Sequence, residues 1–91
     1  MKYFIKTDKI SNLHEISRKV ARLDVEADVK QGRFTVDINS ILGTYSLNWA
    51  VGVTLEFVKE GEDNDKLISF ISSLPDVFCS RLKDEIGDEN D

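Results

Sequence analysis

Gly32–Phe57, read GRFTVDINSILGTYSLNWAVGVTLEF, is the stretch whose reading decides the fold. It holds two apolar-alternating runs, Phe34–Ile38 and Val51–Phe57, on either side of a short apolar segment that opens at Ser40. Alternation at Phe34, Val36 and Ile38 gives a strand one buried face. Ser40 stands after an Asn and before Ile41 and Leu42, where a hydroxyl can accept from an otherwise orphan helix N–H. The stretch therefore predicts two strands bracketing one or two turns of helix over residues 41–47.

Working outward, Val25, Ala27 and Val29 alternate with Glu26, Asp28 and Lys30, which predicts a half-buried strand. Gln31-Gly32 makes a tight turn in which glycine takes a positive φ at little cost, so residues 25–38 form an antiparallel hairpin. Upstream, Ile10, Leu13, Ile16, Val20 and Leu23 recur at helical spacing, with Arg18, Lys19 and Arg22 beside or opposite them. Lys2–Lys6 (KYFIK) is rich in aromatic and β-branched residues and predicts a first strand. Downstream, Lys59–Lys66 (KEGEDNDK) is a charged loop without the glycine spacing of an EF-hand, with Asp63 or Asn64 placed to cap the next helix. That helix is marked by Leu67, Ile68, Phe70, Ile71 and Leu74, and Pro75 interrupts it. Val77, Phe78, Leu82 and Ile86 predict a weaker amphipathic helix ended by Gly87, followed by an acidic tail.

The expected order is strand, helix, strand, strand, short helix, strand, helix. The expected architecture is a two-layer α+β open-faced sandwich, with a four-stranded, mainly antiparallel sheet and its helices on one face. Residues 1–75 form the domain and residues 76–91 a C-terminal extension.

Composition narrows the function. Of 91 residues, 41% are hydrophobic and 32% charged, which is the range of a folded single domain. Net charge is −5, split as +3 over residues 1–36 and −8 over residues 37–91. A negative total argues against non-specific nucleic-acid binding, which needs clustered cations to neutralise phosphates. One histidine and one cysteine cannot make a four-ligand His/Cys zinc site, and no metal or cofactor is expected. The five glycines form no phosphate-cradling loop. No apolar run reaches the ~20 residues of a membrane span, nothing needs an oxidising compartment, and the start of the chain is unlike a signal peptide. The expectation is a cytoplasmic protein with neither nucleic acid nor membrane as partner.

One resemblance is carried by residues 37–47. Asp37-Ile38-Asn39-Ser40-Ile41-Leu42-Gly43, followed by Ser46-Leu47, resembles the segment around the regulatory serine of HPr, the histidine phosphocarrier of the bacterial sugar phosphotransferase system. That family reads Asp-Ala-Lys-Ser-Ile-Met/Leu-Gly there. Gly32-Arg33-Phe34 and Val36-Asp37 are similar to short clostridial-type members, and Glu60-Gly61-Glu62-Asp63 to the family's turn before its last helix. The resemblance spans roughly residues 2–74 and implies the element order β-α-β-β-α-β-α.

It also implies a phosphoacceptor at His14 in Asn12-Leu13-His14-Glu15-Ile16-Ser17-Arg18 and a kinase target at Ser40, while helix spacing, four residues or one turn on from His14, offers Arg18 as a substitute phosphate contact. The family's phosphohistidine motif is Gly-Leu-His-Ala-Arg-Pro-Ala, and here its first glycine, its arginine and its proline are absent. A phosphohistidine is stabilised by helix-terminal N–H groups and a guanidinium, and Glu15 and Ile16 supply neither. Two expectations stand side by side. One is a regulatory or protein-binding module, not an enzyme, with a degenerate site and a docking surface at Ile41, Leu42, Tyr45 and Trp49. The other is an active carrier that takes phosphate on His14 from enzyme I and passes it to sugar-transport components.

Overall fold

The computed structural model describes residues 1–83. In chain order they form β1 (Lys2–Lys6), α1 (Ile10–Val20), β2 (Ala27–Gln31), β3 (Phe34–Asp37), α2 (Ile41–Tyr45), β4 (Val53–Phe57), α3 (Glu62–Ser73) and β5 (Phe78–Leu82). The strands make one sheet in the order β3-β2-β4-β1-β5, with every neighbouring pair antiparallel. The protein is an α+β domain built on an antiparallel sheet. Among the described residues it has five strands where the sequence predicted four.

One face of the sheet makes the core. Register sets Tyr3 opposite Leu55, Ile5 opposite Val53, Val29 opposite Leu55 and Ala27 opposite Phe57, and all of these are buried. Ile16 and Val20 of α1 and Leu67 and Ile71 of α3 close the same cluster. Each such aliphatic side chain gains about 1.5–3 kcal/mol on leaving water, so the helices are held chiefly by this stripe. The other face presents Lys2, Phe4, Lys6, Lys30, Thr54 and Glu56, with Lys30 Nζ 2.7 Å from Glu56 Oε1. Gly52 (φ +114°) admits the Phe4 ring on this face, since a Cβ there would lie 2.1 Å from Phe4 Cζ.

Three expectations are corrected. Residues 78–82 are a strand and not an amphipathic helix. After Pro75 the chain reverses at Asp76 (φ +62°) and runs back along β1, pairing Phe78 with Lys6 and Leu82 with Lys2. Residues 78–82 thus belong to the domain's own sheet and are no appendage; Ile86, Gly87 and the acidic stretch 84–91 lie outside the described residues. Phe34, expected on a buried face, is exposed because it ends edge strand β3 at the hairpin tip, while Ile38 is buried. The N-cap of α3 is Gly61, not Asp63 or Asn64. Asn64 is buried, with Nδ2 donating to the Lys59 carbonyl at 2.8 Å.

Asp63 acts between elements instead. Its Oδ2 accepts the backbone N–H of Asp24 at 2.8 Å, which ties the first turn of α3 to the loop between α1 and β2. That N–H, followed by Lys66, holds the Asp63 carboxyl below its usual range. A lowered folded-state value means the contact stabilises above the unfolded carboxylate pKa of about 3.9 and is lost as pH falls through the folded value. Asp63→Ala should melt at a lower temperature than wild type near neutral pH, and the difference should shrink as the pH drops below about 4. Paired thermal melts from pH 7 to pH 2 check this; a difference independent of pH would contradict it.

Candidate functional site

The candidate site lies on the helical face, where α2 meets α1. A helix of five residues does not persist in water without packing. Four local features hold α2. Ser40 Oγ caps it by accepting the Gly43 N–H at 3.3 Å. Thr44 Oγ1 and Ser46 Oγ donate to the carbonyls of Ile41 (3.0 Å) and Gly43 (2.6 Å). Gly43 lets the helix lie close on β3, since a Cβ there would stand 3.1 Å from Val36 Cβ. Finally, the buried Trp49 Nε1 donates to the Thr44 carbonyl at 2.8 Å.

The loop after α2 is fastened in turn. Gln31 Nε2 donates to the carbonyls of Asn48 (2.6 Å) and Gly52 (2.9 Å), while Gln31 Oε1 accepts the Asn48 N–H at 3.0 Å. The Thr7 N–H donates to the Trp49 carbonyl at 3.0 Å. With its inner side fixed, α2 turns Ile41 and Leu42 outward, 62% and 86% exposed. Tyr45 is half-buried and faces α1 across a crevice lined also by Leu13, Ile16 and Ser17. That crevice opens beside a groove of about 370 Å³ that runs past Ile10, Leu13, Tyr45 and Ser46 to the segment Thr7-Asp8-Lys9.

Trp49 reaches this surface only from beneath, as part of the lining of the crevice and the groove. At 5% exposure it belongs to the core, where it fixes α2 from beneath. Ile10 does join it: expected in the core stripe of α1, it is 70% exposed, because the first residue of the helix precedes the point where α1 settles on the sheet. The sequence carried a signal for this surface that spacing arguments passed over. Not one charged residue falls between Asp37 and Glu56, in a chain that is 32% charged.

His14 sits in the second turn of α1, exposed, and the first turn, Ile10–Leu13, holds no histidine. Its imidazole is thus displaced from the helix-terminal N–H groups that favour an anion. Arg18, one turn further on, directs its guanidinium to Glu15 Oε2 at 3.7 Å, with both side chains about half exposed. Such a pair contributes at most a few tenths of a kcal/mol, so Arg18 is not locked away. Ser40 is exposed at the start of α2, its hydroxyl engaged in the cap. The structure therefore brings Ser40, Ile41, Leu42 and Tyr45 together, and separates His14 from any helix start.

No protein-family model, no curated protein and no solved structure matches this chain.

Trp49→Phe keeps the ring in place and removes the donor to the Thr44 carbonyl. The loss of that bond and of part of the indole volume should lower stability by about 1–3 kcal/mol. Urea unfolding measures it; a change below about 0.5 kcal/mol would show that the indole N–H does not hold α2.

Proposed function

We propose that this chain is an HPr-like, phosphotransferase-related protein that works as a protein-binding or regulatory module. Its contact surface is the outer side of α2, formed by Ile41, Leu42 and Tyr45 and extended by Ile10. The observation that carries this reading is the pair Ile41 and Leu42, exposed on a helix whose inner side is fixed by Trp49 and Ser40. Two large aliphatic side chains held outward, with no charge near them on their own element, are disposed as the apolar centre of an interface. Arg18 of α1 and Arg22 in the turn that follows it are exposed beside α2 and suit an acidic rim on the partner.

The degenerate phosphohistidine site is the second half of the proposal. His14 lies beyond the first turn of α1, and Arg18 directs its guanidinium to Glu15. Ser40 keeps a regulatory role in this reading. A phosphoryl group on its Oγ would add roughly two negative charges at the rim of the apolar pair, with acceptor oxygens facing the N–H groups that open α2, and so alter docking directly.

Intact mass after incubation with phosphoenolpyruvate and the phosphotransferase system's enzyme I tests the reading, with an ordinary HPr in the same tube as control. The expected result is a labelled control and no gain on this chain. An acid-labile gain of one phosphoryl group, absent in His14→Ala, would overturn the regulatory reading in favour of a carrier.

A further inference from the structure

β5 is an edge strand with β1 as its single partner among the described residues, so its outer row of backbone N–H and C=O groups is unpaired. Free edges of this kind are templates for further pairing. The strand also carries two apolar side chains that the monomer leaves uncovered. Phe78 and Leu82, at 57% and 36% exposure, stand on the open face of the sheet, in register with Lys6 and Lys2 of β1. Phe78 is backed by the Phe4 ring, edge to face at 6.2 Å between centroids. The opposite edge, β3, is shorter and offers Thr35 and Asp37 on that face.

The geometry points to β5 of a second copy of this chain as the partner of β5, antiparallel about a two-fold axis through Ser80. The strand is symmetric in the way such a pairing requires. Phe78 and Leu82 lie equally far from Ser80 on the same face, so Phe78 of each copy falls opposite Leu82 of the other, and both apolar contacts form twice. On the opposite face Arg81 falls opposite Cys79, and beyond the strand Lys83 falls opposite Val77, so no like charges stand directly opposite one another, the two Arg81 being diagonal neighbours. A peptide of another protein would satisfy the backbone edge equally well, but nothing in β5 selects one, whereas its own sequence completes it.

A five-residue edge with two apolar pairs buries well under the ~1,600 Å² of a standard interface, so the dimer is reversible and appears as concentration rises. Its axis is normal to the sheet. The two sheets join into one of ten strands, and the helices of both copies lie on the same side. The α2 surfaces then sit near the two outer edges, where each helix packs on β3, about 40 Å apart at about 4.8 Å per strand. A single copy would become a bivalent one without any change in α2.

Sedimentation velocity of the full chain from micromolar to near-millimolar concentration tests the pairing, with Phe78→Lys and Leu82→Glu as variants. The wild type is expected to pass from monomer to dimer, each variant to associate roughly tenfold more weakly, and an equal mixture of the two to recover. The recovery follows from the register, which sets the new lysine opposite the new glutamate. Sedimentation as monomer throughout, association unaffected by both substitutions, or a mixture no better than its components would overturn the proposal. Should either variant fail to show a wild-type melting transition, amide exchange of the wild type decides: slower exchange in β5 at high concentration supports the pairing, and exchange independent of concentration overturns it.

Discussion

The hydrogen bond from the Trp49 indole to the Thr44 carbonyl, 2.8 Å long and buried, is the constraint on which the functional face depends. A single turn and a half of helix has no stability of its own, and α2 has neither an acidic first turn nor a basic last one to help it. What it has is a floor. The large indole fills the space between the helix and the core and returns a donor to the helix backbone, so burial of the ring and satisfaction of a carbonyl come from one side chain. Gly43 and the cap at Ser40 then set how closely the helix approaches β3. The outward direction of Ile41 and Leu42 follows from these inner contacts.

The same economy runs through the sheet. A single face is buried, so the other is free to carry charge, and Lys30 and Glu56 pair across it at 2.7 Å. Cations of the N-terminal half are spread over β1, α1 and the β2–β3 hairpin, and Lys19 of α1 lies 5.3 Å over the Phe70 ring of α3. Acidic residues open α3 at Glu62, Asp63 and Asp65, where the helix dipole favours them. Between these charged regions lies the charge-free segment that builds α2, its loop and the start of β4. The apolar surface proposed for docking is therefore set off from its surroundings by electrostatics as well as by shape.

Much of this was legible in the residues. The alternation of Val25, Ala27 and Val29, the glycine turn at Gly32 (φ +60°) and the helical stripe through Ile16 and Val20 each encode their element locally. Ser40 announces its cap in the same way. β5 was not legible, because its identity is decided by a distant partner. Val77, Phe78 and Leu82 fit a helical spacing as well as a strand, and the free edge of β1, more than seventy residues earlier, settles the choice. Trp49 was expected on the docking surface and is buried instead, and which carbonyl its N–H meets depends on how the following loop is fastened to Gln31 and Thr7. His14 shows a third limit. A histidine in a motif-like string is placed by where the helix begins, and α1 begins at Ile10, one turn too early for a helix-start site.

If α2 is a rigid platform and not a mobile loop, its backbone must be closed in solution. The Thr44 N–H donates to the Ser40 carbonyl at 2.9 Å and the Ser46 N–H to the Leu42 carbonyl at 3.1 Å. Native-state hydrogen exchange at these two amides is the most direct test of the account. Protection approaching that of the central strand β4 is the predicted result, because opening α2 would require releasing Trp49 from the core. Exchange near the rate of an unstructured chain, with β4 still protected, would contradict it and leave Ile41 and Leu42 without a fixed surface.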